Sequence, residues 1–70
     1  MNGTNDVRYP DIHVRLVGED GNAFAILGRV TAAMKRAGVP KEEREAFCAE
    51  ATAGNYDNLL TVCMRWVDVL

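Results

Sequence analysis

The stretch from Gly18 to Asn22, GEDGN, is the first place in the sequence where chemistry could be built. A phosphate-binding turn would need the GxGxxG spacing, which is absent, and the carboxylates of Glu19 and Asp20 would repel a phosphate. A calcium loop of the EF-hand type would need alternating oxygen ligands and a distant bidentate glutamate, which are absent as well. The stretch therefore predicts a helix start, with Asn22 or Asp20 capping the first free N–H groups.

The other reactive side chains are one histidine and two cysteines. His13 has no serine or cysteine at a recognisable catalytic spacing, so we interpret it as a solvated or edge-facing side chain of a strand. Cys48 and Cys63 fall inside helical patterns, and a zinc site normally needs four ligands. We therefore expect two buried thiols, no catalytic residue, no metal and no cofactor.

Charged side chains provide the candidate binding residues instead. Glu42, Glu45 and Glu50 are predicted on the exposed side of a helix, where they could bind a protein partner. Arg29 and Arg36 flank a face of small residues, where they could grip carboxylates or phosphates. The small residues of that face are Ala25, Gly28 and Ala32.

Gly28 makes the small-residue face unusual, because a glycine within a helix costs about 1 kcal/mol relative to alanine. The missing side chain is therefore expected to serve a close approach. Two interpretations stay open: the third helix or the strand packs closely on this face, or the face is an exposed groove for a partner.

Length, composition and charge limit the class of protein. Seventy residues make one domain, and a chain of this size buries only about 60% of its unfolded surface. A hydrophobic fraction of 49% and a charged fraction of 26% argue against disorder. The net charge of -2 provides no overall field for nucleic acid or an anionic membrane. Since no apolar run approaches the roughly 20 residues that span a bilayer, we expect a cytoplasmic protein without a membrane partner.

The periodicity of apolar residues predicts the order of elements. Residues 1–6 are polar and expected to fray, which leaves residues 7–70 as a single domain. The alternating segment DIHVRLV, residues 11–17, predicts a strand. Apolar residues at helical spacing predict three helices: residues 23–37, residues 40–53, and a third capped by Asn55 or Asp57. The predicted fold class is α+β, in the order β-α-α-α.

A single strand needs a mate, because its backbone N–H and C=O groups must be paired. Three mates are available: the N-terminal segment NDVRY folding back, the C-terminal segment VDVL, or the same strand of a second copy across a two-fold axis. We favour the third, which predicts a homodimer.

Two long segments carry a recognisable pattern: DGNAFAILGRV with AMKRAG, and FCAEATAGNYDNLLTVCMRWVDV. With its DGNAF helix start, its basic-Ala-Gly helix end, its EAT-S/A-G turn and its YD-x-LL helix, the chain resembles a group of small uncharacterised bacterial and phage proteins. The resemblance covers residues 14–69. It implies a compact product of a phage or mobile element and carries over no catalytic residue.

The expected function is therefore a non-enzymatic interaction module with a protein partner. Small phage proteins of this size and acidity include inhibitors of host defence complexes, such as anti-CRISPR proteins, and this analogy predicts an inhibitor. The alternative is a small nucleic-acid-binding or transcription-regulatory protein that contacts phosphates through Arg29, Lys35, Arg36 and Lys41.

Overall fold

The order of elements is strand, three helices, strand. The computed structural model describes residues 7–16 and 18–70. Within these ranges the chain forms β1 (Tyr9–Val14), α1 (Ala23–Arg36), α2 (Lys41–Ala51), α3 (Tyr56–Trp66) and β2 (Val67–Val69). This is an α+β fold, as predicted. The strand predicted over residues 11–17 begins two residues earlier, at Tyr9, and ends at Val14, before Arg15 and Leu16. The frayed segment expected at residues 1–6 and the strand end expected at Val17 lie outside the described residues.

Strand β1 pairs with a strand at the C-terminal end of the same chain. It pairs in parallel with β2, with Tyr9 opposite Val67 and Val14 opposite Val69, and the register shifts between Tyr9 and His13. The ladder continues past the strands, because the N–H of Leu70 donates to the carbonyl of Val14. The expected pairing of β1 with a second copy was therefore wrong: the segment VDVL supplies the missing backbone partners. A homodimer through another surface stays a prediction.

Helix α1 begins at the predicted turn and ends at a glycine. The Asn22 side chain accepts hydrogen bonds from the backbone N–H of Phe24, at 2.8 Å, and of Ala25, at 3.4 Å. These bonds satisfy two of the free donors of the first turn. Gly38, with φ of 88°, follows the helix in the left-handed conformation that glycine adopts without strain. The prediction that GEDGN starts a helix is confirmed, with Asn22 as its cap.

Helices α2 and α3 are joined by a short turn. Pro40 precedes α2, and Glu42 and Glu43 lie in its first turn, where the helix dipole favours negative charge. The helix ends at Ala51, two residues before the predicted end. Of the two residues predicted to cap α3, Asn55 is the cap, since its side-chain oxygen accepts a hydrogen bond from the backbone N–H of Asn58 at 3.0 Å.

The core lies between the three helices and the sheet. Phe47 of α2 is fully buried and contacts Trp66 of α3 edge-to-face, with ring centroids 5.8 Å apart. Val30 and Met34 of α1 and Val67 of β2 are also fully buried. The apolar residues at helical spacing face mostly inward. Leu27 and Leu60 are half-buried, Ala23 and Ala37 are exposed, and Val62, at another position of α3, is buried as well. No helix among residues 7–16 and 18–70 is long and apolar enough to cross a bilayer.

Candidate functional site

The three glutamates predicted to bind a partner are exposed, but they do not form one surface. Glu45 and Glu50 are five residues apart and so point about 140° away from each other around α2. Glu45 approaches Lys41 at 3.9 Å. Glu50 accepts a hydrogen bond from the indole N–H of Trp66 at 3.1 Å, so its carboxylate supports the core. Only Glu42 and Glu45 remain on the outer side of α2.

The two predicted arginines lie on the same side of α1 but two turns apart, about 10 Å along the helix axis. Arg29 is half-buried, and its guanidinium lies 3.2 Å from the carboxylate of Glu19. Arg36 is exposed at the end of α1 beside Lys35, and Lys41 follows across the turn at the start of α2. Three of the four residues predicted to contact phosphate, Lys35, Arg36 and Lys41, therefore lie around one turn. Arg29, the fourth, forms an ion pair with Glu19.

The small-residue face of α1 is exposed. Gly28 and Ala32 face solvent, Ala25 is half-buried, and a Cβ added at Gly28 would meet nothing within 4 Å. Of the two interpretations left open by the sequence, close packing of the third helix or the strand on this face was wrong. Phe24, four residues before Gly28, lies on the same side of α1 and is 83% exposed.

Replacing Gly28 by alanine should raise the free energy of unfolding by up to about 1 kcal/mol, because alanine is the better helix former and the added methyl group has open space. Urea denaturation followed by circular dichroism measures the change. The control is Gly54→Ala, whose added Cβ would lie 2.9 Å from the Cβ of Asn58 and should destabilise the fold. A destabilised Gly28→Ala variant would show that this face is packed after all.

Large apolar side chains from two helices form the most distinctive exposed surface. Phe24 is 83%, Tyr56 46% and Met64 54% exposed. Tyr56 stands between two hollows. The first, of about 280 Å³, is lined by Phe24 and Leu27 among others, and the second, of about 250 Å³, by Leu60 and Met64 among others. We call Phe24, Leu27, Tyr56, Leu60 and Met64 the Tyr56 surface.

Tyr56 is fixed in place by the turn that starts α1. Its hydroxyl donates to the backbone carbonyl of Gly21 at 2.6 Å, across 35 residues of sequence. The bond ties the beginning of α3 to the beginning of α1, so Phe24 and Tyr56 come from two helix starts that are held together. A side chain ordered before binding loses less conformational entropy when a partner docks.

The sequence did not single out this surface. Phe24 and Met64 fall outside the buried stripes of α1 and α3, and their size was the available signal: large apolar residues in positions that the helical period assigns to solvent. Aromatic side chains serve in cores and at interfaces alike, so the sequence leaves the placement of Tyr56 and Trp66 open. Trp66 is buried in the core, and Tyr56 is exposed.

His13 lies on the outer face of the sheet with a partner that the sequence did not identify. Its Nδ1 is 2.7 Å from a carboxylate oxygen of Asp68 on β2, and both side chains are about half exposed. An exposed pair of this kind contributes at most about 1 kcal/mol. Throughout the described part of the chain, no group of three or more histidine, cysteine, aspartate or glutamate residues is placed to hold a metal ion.

Both cysteines are free thiols of low reactivity. Cys63 is buried, as expected, and burial raises the pKa of its thiol to about 11 from the ordinary 9.0. Cys48, also expected to be buried, is only half-buried, and its pKa is raised by burial and, to a smaller extent, by the charge of Glu45. Because the thiolate is the nucleophile, neither environment activates a cysteine.

In a Cys48→Ser variant, the remaining Cys63 should react with iodoacetamide at about pH 8 only as fast as the protein opens, because the thiol is buried and protonated. The raised pKa of Cys63 also makes the free energy of unfolding depend on pH. The contribution of Cys63 to stability is fully present below about pH 9, the ordinary pKa, and is lost as the pH rises through about 11. Mass spectrometry follows the labelling, and Cys63→Ser, which leaves only Cys48, is the control. Labelling of Cys63 at the rate seen in urea would contradict its burial.

The chain's own surfaces are the basis for assigning a function. No family model, curated protein or solved structure matches the chain. The resemblance to small bacterial and phage proteins therefore stays a prediction.

Proposed function

We propose that the protein is a non-enzymatic protein-interaction module whose partner docks on the Tyr56 surface. One observation carries the proposal: two apolar hollows share the exposed ring of Tyr56 and extend to Phe24 on one side and Met64 on the other. Large contiguous apolar patches are uncommon on monomeric proteins and mark interaction sites. Aromatic side chains beside pockets are typical anchors of protein interfaces.

The charged residues predicted from the sequence are less suited to anchor a partner. Arg29 and Glu50 already have partners within the chain, Glu19 and Trp66. Glu42 and Glu45 are exposed, and charges in such positions contribute more to the rate of association than to affinity. A phage or mobile-element origin and an anti-CRISPR-like inhibitory role stay predictions.

Site-specific photo-crosslinking tests this function. A photoreactive phenylalanine analogue replaces Phe24 in one variant, and in the control it replaces Ala46, which is exposed on α2. In cells of the source organism, we expect the analogue at position 24 to capture a discrete protein that the analogue at position 46 does not. Equal capture from both positions, or capture from neither, would contradict docking on the Tyr56 surface.

A nucleic-acid-binding role remains the second candidate because Lys35, Arg36 and Lys41 gather around the turn between α1 and α2, with Arg44 one turn further along α2. Four cations in one region would give a few salt-sensitive phosphate contacts. Fluorescence anisotropy with duplex and single-stranded oligonucleotides at low salt tests this role. Binding that Lys35→Ala and Arg36→Ala weaken would support it, and absence of binding would eliminate it.

A further inference from the structure

We infer that the Tyr56 surface binds a protein segment that presents apolar side chains flanked by lysine or arginine; this inference rests on the proposed function and specifies its partner. The two hollows are lined by apolar and uncharged polar residues, with no charged side chain among those described. The hollows therefore accept apolar groups, and any charge preference must come from their borders.

The borders at Tyr56 are acidic. Asp57, in the first turn of α3, lies three residues before Leu60 and seven before Met64, spacings that put it on the same side of the helix as these two lining residues. Asp20 directly precedes Gly21, which lines the second hollow and accepts the Tyr56 hydroxyl. Both carboxylates are exposed, and neither forms an ion pair with any residue in the described ranges. The neighbouring Glu19, by contrast, is neutralised by Arg29.

The arginines nearest to the surface in sequence point elsewhere. Arg65 follows Met64, but one residue of a helix is a rotation of about 100°. Arg15 precedes Leu16 where the ladder with Leu70 continues β1, and successive side chains of extended backbone point to opposite faces. The charge beside Tyr56 is therefore negative, without a compensating cation from these residues.

Exposed aromatic rings add to the preference for cations. The π-faces of Phe24 and Tyr56 attract ammonium and guanidinium groups, whose alkyl stems also pack on apolar surface. A partner with lysine or arginine beside its apolar anchors would contact the rings and the two carboxylates at once. Asp20 accepts a hydrogen bond from the backbone N–H of Asn22 at 3.0 Å but, like Asp57, has no ion-pair partner within the described ranges. Apolar hollows, exposed rings and carboxylates without a cation partner thus favour the same partner chemistry.

A second copy of this chain fits the surface poorly. A two-fold contact brings the same patch of both copies together. Each copy would then bring its own Asp20 and Asp57 toward those of the other, and like charges facing each other oppose association. The acidic border consequently favours a different protein over self-association.

The experiment uses two synthetic amphipathic peptides of about 18 residues, one of leucine and lysine and one of leucine and glutamate, added to the isotope-labelled protein. Nuclear magnetic resonance locates the contact, and fluorescence titration gives the affinity at low salt and at about 300 mM salt. We expect the lysine peptide to shift resonances of Phe24, Tyr56 and Met64 and to bind about tenfold more tightly than the glutamate peptide. Its affinity should fall at the higher salt concentration, because salt screens the attraction between charges.

Two charge reversals complete the test. Asp57→Lys should weaken binding of the lysine peptide about fivefold or more, whereas Glu42→Lys should leave it unchanged. The two variants are matched, because each removes an exposed carboxylate from the first turn of a helix and changes the net charge equally.

Equal affinity for both peptides, contact away from the Tyr56 surface, equal effects of the two reversals, or binding of neither peptide would overturn the inference. These outcomes would not contradict the proposed function, which the photo-crosslinking experiment tests separately. A dimer in sedimentation equilibrium whose contact maps to Tyr56 would also overturn it, in favour of a second copy.

Discussion

Replacing Phe47 by alanine is expected to lower the free energy of unfolding by about 3–5 kcal/mol, the usual cost of emptying a buried phenylalanine site. The Phe47 side chain is 0% exposed and contacts the ring of Trp66. A 70-residue domain has only about 4–10 kcal/mol of stability in total. The variant should therefore be largely unfolded in mild urea, as circular dichroism would show.

Phe24→Ala is the matched control for this prediction, because it removes the same atoms from a site that is 83% exposed. Its effect on the free energy of unfolding should stay within about 0.5 kcal/mol. Similar losses in the two variants would mean that Phe24 is packed in solution, and that its position on the Tyr56 surface is wrong.

Deleting residues 67–70 should abolish cooperative unfolding. The deletion removes Val67, which is fully buried, and every residue that pairs with β1 in the parallel ladder. Strand β1 would keep its backbone groups without partners, in a domain with little stability to lose. Thermal unfolding followed by circular dichroism and by Trp66 fluorescence measures the loss.

Leu70→Ser is the control for the deletion, since Leu70 is exposed and the substitution keeps the backbone bonds to Val14 and Leu16. Its unfolding should remain cooperative. A shortened chain that still folds, and sediments as a dimer, would show that β1 can pair with the same strand of a second copy.

The local structure of this protein could be predicted, because local residues determine it. Asn22 and Asn55 carry side-chain oxygens that cap helices, and Gly38 tolerates the positive φ that ends α1. The strand that pairs with β1 could not be predicted in the same way. Alternation shows that a strand needs a partner, but β2 follows α3 directly, and its three residues are too few for a pattern.

The candidate site could be predicted only in part. The exposure of Glu42 and Glu45 follows from the helical period, but the hydrogen bond from Trp66 to Glu50 depends on how two helices pack. The Tyr56 surface likewise joins residues from α1 and α3 that only the tertiary fold makes neighbours. Periodicity describes one element at a time, and a surface shared by several elements lies beyond it.

The parallel pairing of β1 and β2 also determines how the protein responds to mechanical force. Because Tyr9 lies opposite Val67 and Val14 opposite Val69, the start of β1 and the end of β2 lie at opposite ends of the ladder. A pull applied to Tyr9 and Val69 loads the inter-strand hydrogen bonds in shear, along the strands. These bonds then share the load and must break together, whereas an antiparallel hairpin pulled by its two ends opens one bond at a time.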